Sequence, residues 1–202
     1  LGEHSTQLES MTNIIVRQTD ELRRIVDEFS QFARMPEPDL KPTELRALVK
    51  DTVLLQESGQ PNVSFNLNLP TESLWVDADP SMIGRAVTNL LKNAGESIED
   101  ALKEFPNRKG EIRVSISTNA RTIVLEISDN GIGLPEDRSR LLEPYVTNRV
   151  AGTGLGLSIV VKTIEEHRGT FSLSDADSFD NSTVAGAKAV VKLPRIKKSI
   201  LQ

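Results

Sequence analysis

Hydrophobic positions at the start of the chain recur in alternating steps of three and four. Leu8, Met11, Ile15, Leu22, Ile25, Phe29 and Phe32 lie on one seam, with only Gln18 polar among them. That period predicts one long helix over residues 1–34, with Arg17, Asp20, Glu21, Arg23, Arg24, Asp27 and Glu28 on the opposite face. A lone helix cannot bury such a stripe. The seam keeps register for about four heptads, which favours pairing with another helix over packing on its own domain. Pro36, Pro38 and Pro42 then break the pattern, because each lacks an N–H and restricts the residue before it.

Beyond this break the periods change. Leu45, Leu48, Val49, Thr52, Val53 and Leu55 predict an inward-facing helix from Thr43 to about Glu57. Val63, Phe65, Leu67 and Leu69 alternate with polar residues as a strand does, and Trp75–Ala78 reads as a second short strand. Asp79-Pro80 is a helix start, a capping carboxylate followed by proline at the first helical position. The helix should run to about Lys103 and bury Met82, Ile83, Ala86, Val87, Leu90, Leu91, Ala94, Ile98, Ala101 and Leu102. Glu111–Thr118 and Thr122–Ser128 alternate as a half-buried hairpin. Residues 134–151 show no sustained period, and a loop of that length in a compact domain is usually functional. A helix over Thr153–His167 ended by Gly169, a strand Thr170–Ser174, a polar connection from Asp175 and a strand Lys188–Leu193 complete the chain. The expected fold is an α+β two-layer sandwich, with helices on one face of a mixed, mostly antiparallel sheet, preceded by the long helix.

Composition narrows the function classes. The chain has 202 residues, 38% hydrophobic and 26% charged, which describes a globular domain with an appendage. The net charge of −5 provides no footprint for nucleic acid. There is no cysteine, hence no disulfide framework, thiolate nucleophile or Cys-based metal site. No apolar run is long enough to cross a bilayer. The chain opens on Leu1 rather than Met, and it is expected to be a piece of a longer protein with any membrane anchor upstream.

Three short blocks carry the candidate chemistry. Asn89 and Asn93 stand four apart on the long second-domain helix, so their amides share a face otherwise filled by Leu and Val. Amide oxygens suit Mg²⁺ that already carries phosphate oxygens and water. Asp129-Asn130-Gly131-Ile132-Gly133 follows a strand, where a carboxylate can accept an adenine N–H and glycines let the backbone approach a flat ligand. Gly152-Thr153-Gly154-Leu155-Gly156 opens a helix, whose N–H groups and dipole favour phosphate, and Arg149 stands just ahead of it. It is neither a Walker A loop nor a Rossmann fingerprint. Taken singly, each block also fits an ordinary helix face, turn or loop.

Their order and spacing resemble the ATP-binding catalytic domain of sensor histidine kinases, in the superfamily that includes Hsp90, MutL and gyrase B. The resemblance covers residues 40–195. Asn89–Asn93 corresponds to the N box, Asp129–Gly133 to the G1 box, Gly152–Gly156 to the G2 box, and 134–151 to the ATP lid. Gly186–Pro194 is similar to the closing segment of that domain, with Ala187 where threonine is common. Glu143–Arg149 is similar to nitrogen-regulation kinases, and Phe29–Pro36 to their NtrY branch.

The resemblance implies a Bergerat-type fold binding ATP and Mg²⁺. Asn89 and Asn93 would hold the metal. Asp129, Gly131 and Gly133 would take adenine, and Arg149, Gly152, Thr153, Gly154, Leu155 and Gly156 the phosphates. It also implies an order of parts: 1–35 as the second helix of a dimerisation domain, 36–42 a linker, 43–195 the catalytic domain and 196–202 a tail. ATPases of the superfamily carry Glu where Asn89 stands, and many kinases carry Lys where Glu96 stands. Neither His4 nor His167 lies in the acceptor block of the family, so the phosphorylated histidine is expected on a first helix outside this sequence. The implied partners are a second copy and a response regulator, with no nucleic acid. The implied location is cytoplasmic, in a parent anchored at the inner membrane by other segments. Two alternatives stay open: a non-catalytic docking module biased by ATP, and an ATPase of the Hsp90 or MutL kind.

Overall fold

A computed structural model describes residues 2–33, 36–147, 153–179 and 186–196. The first helix, α1, spans Gly2–Ala33 as its period requires. Met11, Ile15, Leu22, Ile25 and Phe29 on its seam are exposed.

Strand β1 (Lys41–Glu44) is an element the sequence pattern conceals. It pairs antiparallel with β3 (Trp75–Ala78), Pro42 opposite Asp77, where a missing N–H is tolerated in a two-stranded ribbon. Helix α2 (Leu45–Ser58) therefore begins two residues later than expected, with Glu44 as N-cap accepting from the Ala47 N–H. Leu45, Val49 and Val53 are buried, whereas Leu55, expected inward, is 69% exposed. It lies two positions beyond Val53, roughly 200° around the helix, so it faces outward.

Helix α3 (Pro80–Glu104) is the spine. Asp79 caps it through the Ser81 and Met82 N–H groups, and Pro80 starts it. Such a cap is worth about 1 kcal/mol. Ile83, Leu91 and Ile98 are almost fully enclosed, each contributing roughly 1.5–3 kcal/mol, so packing rather than capping holds the helix. It lies across β4 (Gly110–Thr118) and β5 (Thr122–Asp129), with α2 and α4 (Gly156–Glu166) beside it.

The main sheet has the order β2-β4-β5-β7-β6, with β2 at Val63–Asn68, β6 at Thr170–Asp175 and β7 at Ala187–Pro194. β2 runs parallel to β4, and the other pairs are antiparallel. Ile112, Val114, Ile116, Ile123, Leu125, Ile127, Ala189, Val191 and Leu193 turn inward to the helices. The opposite face is polar, as alternation requires. There the described part of the connection after β6 is anchored rather than loose. Phe179 is buried, with the Arg113 guanidinium 3.9 Å from its ring centre.

Helix α4 starts three residues later than the sequence suggests, so Thr153 and Gly154 lie in the approach to it. Its end also differs. Arg168, not Gly169, takes the left-handed conformation, at φ 57°. Gly169 N–H donates to Ile164 O and Arg168 N–H to Glu165 O, the bond pair of a Schellman ending. Glycine is needed at 169 because a Cβ there would lie 2.5 Å from Lys192 O.

Candidate functional site

A cavity of about 660 Å³ opens between α3, the end of β5, the segment after it and the start of α4. Its size falls within the range of small-molecule sites, about 300–1,000 Å³. Asn89 and Asn93 line it from α3, Asp129 and Gly133 from the β5 end, and Thr153, Gly154 and Gly156 from the α4 approach. Three blocks distant in sequence thus share one wall system. A Cβ on Gly156 would stand 3.9 Å from both polar atoms of the Asn93 amide. The α4 start therefore lies against the Asn93 amide.

Asp129 occupies the last position of β5, on the inward face, and is 5% exposed. Its Oδ1 accepts from Gly131 N–H at 2.9 Å and Ser97 Oγ at 3.2 Å, with Ala187 N–H at 3.5 Å. Asn130 points the other way. Its Oδ1 accepts from Glu111 N–H and its Nδ2 donates to Lys109 O, which ties the turn to β4. A buried carboxylate held by neutral donors is a fixed acceptor at the base of a cleft.

The glycines divide their work. Gly133 has φ 77° and lines the cavity. Gly131 does not line it. A side chain at 131 would strike Ser97, so this glycine serves the close approach of the turn to α3. Leu155, 1% exposed, is a core residue rather than a wall of the cavity. Gly154 has φ 68°, and its carbonyl accepts from Tyr145 N–H, joining the α4 approach to the segment expected to be a lid. No side chain caps the start of α4, which suits a terminus meant for an anion. Arg149 and Gly152 lie outside the described residues.

Among the described residues no cluster of His, Cys, Asp or Glu could hold a metal on its own. The amides of Asn89 and Asn93 fit Mg²⁺ that arrives with phosphate oxygens, not a resident protein-bound ion.

Residues 78–197 match the family described as histidine kinase-, DNA gyrase B-, and HSP90-like ATPase. The chain belongs to that family. It is 44% identical over 180 residues to nitrogen regulation protein NtrY of Azorhizobium caulinodans, covering 87% of this chain and 23% of that protein. It is 31% identical over 183 residues to sporulation kinase B of Bacillus subtilis, covering 90% of this chain and 40% of that protein. The catalytic domain of histidine kinase ThkA superposes with a TM-score of 0.64 at 25% identity, covering 78% of this chain and 98% of that one. The chain thus spans less than half the length of these curated relatives. The Bergerat-type fold expected from the sequence is the fold observed.

Within this ATPase-family frame, several wall residues escape sequence reading. Ser97 on α3 and the Ala187 backbone both approach Asp129. Ala187 lines the cavity as well. A serine within a helix and an alanine at a strand start carry no chemical signal of their own; only their spacing from the family blocks points to them. His167 lies away from the cavity lining, buried at 2% exposure between α4 and the start of α3.

Proposed function

We propose that this chain is the ATP-binding kinase module of an NtrY-like two-component sensor. It would bind Mg-ATP and pass the γ-phosphoryl to a histidine outside residues 1–202, from which an aspartate of a response regulator would take it. The carrying observation is the single cavity shared by Asn89, Asn93, Asp129, Gly133 and Gly154.

In this reading Asp129 accepts from adenine, the start of α4 faces the phosphates, and Asn93 with Asn89 holds the metal. Bound Mg²⁺ would neutralise phosphate charge as the γ-phosphorus exchanges its bond to the bridging oxygen for one to an imidazole nitrogen. The protein's part is positioning and electrostatic stabilisation. An amide at Asn89 has no proton-accepting group at neutral pH. Water is therefore not activated there, and ATP survives until the histidine arrives. The exposed seam of α1, Met11, Ile15, Leu22, Ile25 and Phe29, supports a helix-mediated homodimer. Arg149 and Gly152 remain proposed phosphate contacts.

Calorimetry with Mg-ATP tests the site: Asp129→Asn should abolish binding, and unchanged affinity would reject the assignment. Mixing the chain with a polypeptide bearing the acceptor histidine tests the activity. Labelled phosphate should move to that histidine in wild type but not in Asn93→Ala. Nucleotide binding without any transfer would favour the docking-module reading, and steady ATP turnover by the chain alone would favour an ATPase.

A further inference from the structure

We infer that Ser97 is the positioning residue for the carboxylate read above as the adenine acceptor, so that the affinity drawn from the exocyclic amine of the base depends on the Ser97 hydroxyl. The inference rests on the reading of Asp129 as the adenine acceptor and assigns that reading a second residue.

Ser97 lies one turn beyond Asn93 on α3 and is 6% exposed. A serine inside a helix commonly returns its hydroxyl to a carbonyl of the preceding turn. Here the hydroxyl leaves the helix and meets Asp129 Oδ1 at 3.2 Å. A carboxylate only accepts, so the serine donates. The same oxygen takes the Gly131 N–H at 2.9 Å. The Ser97 carbonyl meanwhile accepts from Ile132 N–H at 3.2 Å. One residue therefore grips the turn at two points, side chain to Asp129 and backbone to Ile132.

Size matters as much as polarity. A Cβ on Gly131 would lie 2.5 Å from the Ser97 carbonyl carbon and 2.6 Å from its oxygen, and would collide with its Oγ. The turn is thus pressed against the helix at this serine. Rotation of the Asp129 carboxylate would break the bonds from Ser97 Oγ, Gly131 N–H and Ala187 N–H at Oδ1. Asp129 is held in one orientation within the cavity it lines. A fixed carboxylate rewards a ligand N–H and repels a ligand oxo group, which separates adenine from guanine by charge pattern alone.

The test compares two nucleotides in one calorimetric assay, Mg-ATP and the triphosphate of unsubstituted purine riboside, which lacks the amine. Wild type should prefer ATP. Ser97→Ala should weaken ATP about tenfold, the scale of one hydrogen bond to a charged group, and leave the amine-free nucleotide unchanged. Ser97→Cys, similar in size but a poor donor, should behave likewise and carries the comparison if the alanine variant does not fold. Equal loss for both nucleotides, or no loss of ATP affinity, overturns the proposal. Asp129→Asn separates the two levels. If it leaves ATP affinity intact, the adenine-acceptor reading fails; if it abolishes binding while Ser97→Ala does nothing, only the role of Ser97 falls.

Discussion

His167 Nε2 accepts the backbone N–H of Asp79 at 2.9 Å, joining the end of α4 to the start of α3 across 88 positions of sequence. The other ring nitrogen, Nδ1, faces Thr163 O at 2.6 Å. A backbone amide can only donate, so Nε2 carries the lone pair and Nδ1 the proton. The ring is a bridge between the two helices that wall the cavity, its Nε2 an acceptor for the first backbone amide of the other helix's cap. Removing it should leave a buried N–H without a partner and a cavity. His167→Ala is expected to cost roughly 2–4 kcal/mol, measured by urea unfolding, with nucleotide affinity lowered only as far as the folded fraction falls. A change under about 0.5 kcal/mol, the level of ordinary surface substitutions, would remove the bridge from the account.

Asp79 at the start of α3 should make stability depend on acid. Burial pushes its carboxyl up, but the Met82, Asp39 and Ser81 N–H groups together outweigh that and hold it below its ordinary value of 3.8. A depressed folded value means that the stabilisation is complete above 3.8 and fades as pH falls through the lower folded value. Asp79→Ala should therefore cost about 1 kcal/mol near neutrality, with the gap to wild type closing only below pH 3.8. Chemical denaturation across an acid series checks it; a gap constant down the series would contradict the assignment.

The segment after the β5 turn has a latch. Arg138 grips Asp175 at the end of β6 through two nitrogens, at 2.7 and 3.1 Å, and its Nε donates to Pro135 O. The pair is 43% and 50% exposed, so its share of global stability should stay within about 1 kcal/mol. Its effect should be local. Asp175→Asn is expected to speed hydrogen exchange over residues 134–147, as should high salt, with melting nearly unchanged. Exchange as slow as wild type would show that the pair does not restrain the segment.

Gly154 should resist any side chain. Its φ of 68° disfavours one, and a Cβ would lie 2.6 Å from the Tyr145 carbonyl carbon and 2.7 Å from Val146 N. Gly154→Ala should cost more than about 1 kcal/mol locally and weaken Mg-ATP binding at least tenfold, because it parts the α4 approach from the 145–147 segment. Titration calorimetry with thermal melting separates the two effects. Wild-type affinity in this variant would mean that the cavity does not depend on that contact.

Where each side chain repeats a period, the sequence is sufficient. The inward stripe of α3, the alternation of β4 and β5, and the Asp79-Pro80 start follow from local geometry and reappear in the structure. The short strand β1 was hidden because Lys41-Pro42-Thr43-Glu44 has no pattern of its own and becomes a strand only against β3. Leu55 misled because hydrophobicity without the right angular position does not bury a residue. The three family blocks were legible as letters at given intervals.

What they do together was decided by tertiary structure. Asn93 and Gly156 meet only because α4 packs beside α3. Ser97 matters only because the β5 turn is pressed against the helix that carries it. Nothing beside His167 in the sequence marks it as a link between helices. Packing made it an acceptor, since the amide it meets lies on an element far away in the chain. Periodicity acts over one turn of helix or one pleat of strand, so sequence alone determined the elements and their faces. Convergence of amide, carboxylate and glycine on one cavity is a long-range property, and it came from the way the helices and sheet close around a shared core.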